Sequence, residues 1–207
     1  AWVIRDFISS DYGLEDSSID YATFEEAASV SEDTTILSDS SKQYTINGVV
    51  QASQSFGNVL QEMMTSCGGT LFWGAGAWRL FVGAFVNPTK TLTLDDLRSG
   101  INLDTKMTMA NNFNAVRGTF VDKDNSYNSA DYPQVNSSIF LEEDNNIESV
   151  LDLALPYTTN SIAAQRLAKQ MLYRNREQLT LSAEFGLNAL DIEVGDFIKF
   201  RNDRYGW

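Results

Sequence analysis

The chain has 207 residues, 43% hydrophobic and 12% aromatic, with three prolines, enough apolar mass for one large domain or two small ones. Its formal net charge is -13, which disfavours binding to nucleic acid or to an anionic membrane. There is no histidine and a single cysteine, so the commonest general base, the commonest metal ligand and any internal disulfide are all missing.

Residues 1–10, AWVIRDFISS, predict a short helix in which Trp2, Val3 and Phe7 cluster, broken at Gly13. Thr23 and Glu26 fit a capping box opening a helix to about Val30, with Phe24, Ala27 and Ala28 on its apolar side. A polar connection follows over 31–42, and QYTINGVV (43–50) reads as a strand ending near Asn47-Gly48. From Asp6 to Ser41 there are ten acids and no Lys or Arg.

The clearest periodicity is Phe56, Val59, Leu60, Met63, Met64 and Cys67, one face of a helix capped by Ser53 or Ser55 and stopped by Gly68-Gly69. TLFWGAGAWRLFVG (70–83) then predicts a hairpin turning at Gly74-Ala75-Gly76. A domain boundary is expected near 95–102.

Beyond it, 112–122 predicts a strand, 122–135 a polar loop, and 137–144 (SSIFLEED) a second strand. A helix capped by Thr159 or Asn160 follows, with Ala163, Leu167 and Met171 on one side and Arg166, Lys169, Arg174 and Arg176 mostly elsewhere. QLTLSAEF (178–185) alternates as a half-buried strand, and Gly195-Asp196 turns into another. The expected fold class is α+β: a small helix/sheet domain over 1–100, then a β-barrel-like domain over 101–207 with one flanking helix. The start without Met and the end at RYGW read as cuts in a longer chain.

Asp122, Asp124 and Ser126 match the first, third and fifth positions of a calcium loop. Tyr127 stands where that loop needs glycine, and Pro133 where it needs a bidentate glutamate. The stretch 122–131 therefore reads as a solvated turn with acids at 122, 124 and 131, and no metal is assigned. Asp95-Asp96 and Glu142-Glu143-Asp144 are adjacent carboxylates, which a strand sends to opposite faces. Cys67 reads as a buried small hydrophobe. The bases on the 160–176 helix read as a solvated or interface face rather than a nucleic-acid patch. Asn136-Ser137-Ser138 is formally a glycosylation acceptor. No catalytic residue, cofactor or membrane span is assigned.

Five stretches together resemble one family. They are AWVIRDFISSDYGL (1–14), YTINGVV through GAGAWRL (44–80), FNAVRGTFVDKDNSYNSADYP (113–133), LPYTTNS through QLTL (155–181) and LNALDIEVGDFIKFRNDRYGW (187–207). In that order they are similar to the central hub proteins of bacteriophage tail tips, including the lambda-type tail-tip attachment protein. The resemblance implies a non-enzymatic virion component, trimeric in the intact protein, at the distal end of the tail tube. It implies contacts with tail-tube and other tip proteins, host-surface contacts through regions outside 1–207, and DNA passing without specific binding. The implied location is the virion tail tip, with the bacterial cytoplasm during assembly. Two alternatives stand beside it: the hub of a related contractile injection machine, and a metal-dependent cell-wall hydrolase using Asp122, Asp124 and Glu142 or Glu143.

Overall fold

Ile4, Phe7 and Ile8 recur at helical spacing and are all buried. They seat the first helix, α1 (Trp2–Asp6), which runs on as one π-helical turn, Phe7–Asp11. Of the three residues read as a cluster, Phe7 is buried, whereas Trp2 and Val3 are 45% and 48% exposed. Gly13 ends the segment at φ 79°, where Leu14 N–H reaches back to the Ile8 carbonyl at 3.2 Å. The computed structural model describes residues 1–104, 112–177 and 179–202. Gln178, the expected start of the 178–185 strand, and the terminal RYGW lie outside them.

The expected capping box does not form. Helix α2 (Tyr21–Glu32) starts earlier, with the Asp20 carboxylate accepting from Ala22 N–H at 3.2 Å. Thr23 instead ties the helix to a neighbouring hairpin: its hydroxyl donates to the Asp20 carbonyl at 2.8 Å and accepts from Leu80 N–H at 3.3 Å. Asp20 also faces Arg79 at 3.0 Å. Replacing Asp20 by alanine should therefore cost about 1 kcal/mol in urea unfolding, the usual loss of a helix cap. The partly exposed ion pair adds little to that.

Residues 43–50 are not a strand. Gln43, Tyr44 and Asn47 spend their N–H groups on Asp33, Ser31 and Tyr157 carbonyls at 2.8, 3.2 and 2.9 Å, three partners in no common ladder. Helix α3 (Phe56–Thr65) is as the periodicity predicts, capped by Ser55, burying Val59, Met63 and Met64, and ending at Gly68 with φ 57°. Strands β1 (Thr70–Gly74) and β2 (Ala77–Phe81) form the expected antiparallel hairpin. Ala75 and Gly76 both take positive φ, 51° and 80°, as a two-residue hairpin turn requires.

Short strands β3 (Lys90–Thr93) and β4 (Asn102–Asp104) follow. Then comes β5 (Ala115–Asp122), paired antiparallel with β6 (Asn128–Asn136). Most of the expected 122–135 loop is thus strand, and only 123–127 turns. The expected strand at 137–144 is helix α4 (Ser138–Glu143), closed by Asn145 and Asn146 at positive φ, 57° and 60°. Its Phe140 ring meets Tyr173 at 5.3 Å, a contact the helical turn makes available. Strand β7 (Val150–Asp152) joins the other side of β5 in parallel. Helix α5 (Ser161–Arg176) lies on this three-stranded sheet.

Strands β8 (Thr180–Ser182) and β9 (Ile198–Arg201) return to pair with β4 and β3 respectively. The fold is α+β, as the sequence implies, but no closed barrel forms among the described residues. Among the described residues the strands fall into four small sheets. A barrel would need 138–143 as strand, where α4 stands, and β7 and β8 are only three residues each. One apolar cluster runs from Ile4 through Val59 and Val116 to Leu172. Among the described residues, no helix is long and apolar enough to cross a membrane.

Candidate functional site

Helix α5 organises the surface that most resembles a working site. The Asn160 side-chain oxygen accepts from Ile162 and Ala163 N–H at 2.8 and 3.3 Å, fixing where the helix begins. Its buried stripe is Ala163, Ala164, Leu167, Ala168 and Leu172. Three alanines let the helix approach β5 and β6 closely. Met171, expected within that stripe, is displaced to the outer side and is 36% exposed.

The four expected bases go to different partners. Arg176 is drawn inward, ion-paired to Asp144 and lying over the Phe140 ring at 4.8 Å. Lys169 sits over the Tyr173 ring at 5.8 Å. Arg174 donates to the Gly68 carbonyl at 3.4 Å, and the Arg166 charge acts on Asp33. Bases dispersed in this way do not form the continuous stripe that follows a phosphate backbone.

Behind Arg176 lies a polar knot that the sequence did not reveal. Asn114 is 1% exposed. Its amide donates to Asp144 Oδ2 and to the Ile147 carbonyl, both at 2.8 Å, and its oxygen accepts from Ser149 N–H at 2.9 Å. Arg176, and then Asn114, hold the Asp144 carboxyl below the usual carboxylate range against the opposing cost of burial. A depressed folded pKa contributes stability that is present above the unfolded value, about 3.9, and is lost as pH falls through the folded value. Acid unfolding followed by circular dichroism should thus show Asp144→Asn less stable than the parent at neutral pH, with the gap closing as the solution is acidified below about pH 4.

Outward from this knot, α5, the end of α3, the β1–β2 hairpin and the 194–197 turn enclose an open groove of about 1100 Å3. Met64, Phe72, Phe81, Met171, Tyr173 and Phe197 are among its walls, with Arg166 and Arg174 beside them. Phe85 and Val194, also in the lining, are 87% and 65% exposed. Aromatic, methionine and arginine side chains in one solvent-facing depression are the composition of a protein–protein contact. No sequence window showed it, since α5 and the 194–197 turn lie far along the chain from α3 and the hairpin.

The carboxylates flagged in the sequence do not converge. Asp122 caps the turn at the hairpin tip, accepting from Asp124 N–H at 3.0 Å. Asp131 lies on β6 opposite Thr119, while Glu142 and Glu143 end α4. Asp96 closes a turn on Thr93, accepting from its backbone N–H at 2.8 Å. Among the described residues, no three His, Cys, Asp or Glu side chains gather as a metal site. Cys67 is buried, and burial pushes its thiol up to about 11, away from the reactive thiolate. Asn136 of the glycosylation triplet is the last residue of β6.

Residues 55–207, about three quarters of the chain, match the family described as "Putative phage tail protein" (Phage-tail_3). The chain belongs to this phage tail family. No curated protein matches the chain. The phage tail match starts at Ser55, the cap of α3, and contains every residue lining the groove. The base-free acidic run lies before it. Membership associates the chain with a phage tail and with the other proteins of that tail.

Proposed function

We propose that this phage tail protein is the central hub of a tail tip, capping or continuing the tail tube and scaffolding the host-attachment parts. The observation that carries this is the aromatic groove, which lies within the family match and faces solvent in the isolated chain. A subunit that assembles into a ring exposes such a surface when alone. In this reading the protein is a homotrimer in its intact form, performs no catalysis, and binds tail-tube and other tip proteins. Residues 1–100 form its α+β hub part and 101–207 its tube part. It resides in the virion tail tip, after assembly in the bacterial cytoplasm.

The acidic run fits a conduit wall. Asp16, Asp20 and Glu32 are neutralised by Arg5, Arg79 and Lys42, whereas Glu15, Glu25 and Glu26 are exposed and in no ion pair among the described residues. Facing the lumen, they would repel DNA from the wall and let it pass without specific binding. Light scattering of the intact parent protein across a range of concentrations tests the assembly. A stable trimer supports the hub, and a monomer at every concentration, with tail-tube protein present, refutes it.

A further inference from the structure

A second depression lies away from the groove. The 41–47 connection, the tip of the β5–β6 hairpin and the entry to α5 enclose a pocket of about 360 Å3. Its lining is Ser41, Thr45, Asn47 and Thr159 beneath Lys42, Lys123 and Tyr127, with Asn160 at the helix entry. Hydroxyls and amides offer both donors and acceptors, one aromatic ring is present, and no aliphatic or acidic side chain lines it. Its exposed surface is more carbon than polar, with hydroxyls and amides set around it, which suits the face and rim of a hydroxylated ring.

Its charge is unusual for this chain. Two ammonium groups line one pocket of a protein whose net charge is -13. Lys42 shares its charge with Glu32 at 2.9 Å, and Asp39 bonds Asn160 and Ser41 at 2.7 Å each from outside the lining. The Lys123 ammonium and the Tyr127 hydroxyl take part in no hydrogen bond or ion pair among the described residues. Asn160 has already spent its oxygen on capping α5, so the helix end itself offers little. Ser126 and Tyr127 both occupy the left-handed region, φ 53° and 59°, and this turn brings Tyr127 into the lining.

We propose that this pocket binds an acidic saccharide unit, a sugar ring carrying a carboxylate or a phosphate. Tyr127 stacks on the ring, the hydroxyls and amides of Thr45, Asn47 and Thr159 meet its hydroxyls, and Lys123 with Lys42 takes the anionic group. The inference stands apart from the hub assignment, since it concerns a different surface and needs no assembly.

Ligand-detected NMR on the protein with glucuronate, glucose 6-phosphate, glucose and inorganic phosphate tests it. Both charged sugars should bind in the millimolar range, with glucose weaker by roughly tenfold or more. Whichever charged sugar binds tighter identifies the source of the anionic group. Lys123→Glu should abolish the preference for charge, and its exposed hairpin-tip position leaves the fold intact. Tyr127→Gly suits the left-handed backbone, so it should fold at least as stably as the parent while losing affinity for all three sugars. Failure of every sugar to bind would overturn the proposal. So would phosphate binding as well as glucose 6-phosphate with Tyr127→Gly unaffected, the mark of an adventitious ion only.

Discussion

Replacing Gly118 by alanine is expected to destabilise the protein by about 3 kcal/mol, the upper end of ordinary overpacking. A Cβ on Gly118 would stand 1.9 Å from the Leu153 carbonyl oxygen and 2.6 Å from its carbon. Those are backbone atoms, and they are tied down on both sides. Leu153 N–H donates to the Arg117 carbonyl at 2.7 Å, Leu155 N–H to the Thr119 carbonyl at 2.8 Å, and the Leu153 carbonyl accepts from the Tyr132 hydroxyl at 3.1 Å. No side chain can swing away to make room, so the chain beyond β7 must lift off β5. Gly57→Ala is the control: nothing lies within 4 Å of its new Cβ, and it sits in α3, where alanine is favoured by up to about 1 kcal/mol. Urea midpoints should move in opposite directions. Equal shifts for the two variants would show that the close approach of β5 to residue 153 is wrong.

The second large effect is expected at Asn114. Its alanine variant leaves the Ser149 N–H and the Ile147 carbonyl without their partners and strips Asp144 of one donor. Each buried group left unmade costs about 1–3 kcal/mol, and water can reach only part of the gap, so a loss of about 3 kcal/mol is expected. Asn114→Asp separates hydrogen bonding from charge. It preserves the acceptor for Ser149 but sets a second carboxylate against Asp144, so it should be at least as unstable near neutral pH. Lowering the pH into the carboxylate range should recover part of its deficit, because one proton shared between the two acids restores a donor. If Asn114→Asp shows no recovery on acidification, the contact between residues 114 and 144 is not as described.

Neither Gly118 nor Asn114 carries a local signal in the sequence for the contacts it makes. Helix α3 and the β1–β2 hairpin were legible because their signals are local: apolar spacing from Phe56 to Cys67, and glycines on either side of Ala75. Helix α4 was not legible. Six residues show too little of either period, and the run Ile139–Leu141 suits a strand equally well. What decides for helix is distant, the Tyr173 ring and the Arg176 guanidinium of α5, both of which meet the Phe140 ring. Strand β6 hid for the opposite reason. It is an edge strand, polar along most of its length and carrying Pro133, which sequence rules count against a strand. Only Tyr132 among its residues is buried. The candidate site shares this limit. The acids at 122, 124 and 131 were visible because they are close in sequence, yet they serve a turn and a strand edge. Asn114 with Asp144 and Arg176, and the aromatic groove, escaped notice because their parts are brought together only by folding α5 across the sheet.

On the proposed reading, the chain occupies the tip of the tail and its groove is covered there. Electron cryomicroscopy of the intact tail, from the phage or prophage particle that encodes this chain, addresses both at once. The expected result is three copies around the tail axis at the distal end, with Met171, Tyr173, Phe85 and Phe197 buried against a neighbouring chain and Glu25 and Glu26 turned toward the lumen. Density for the chain along the tube shaft, or at the tip with the groove open to solvent, would contradict it.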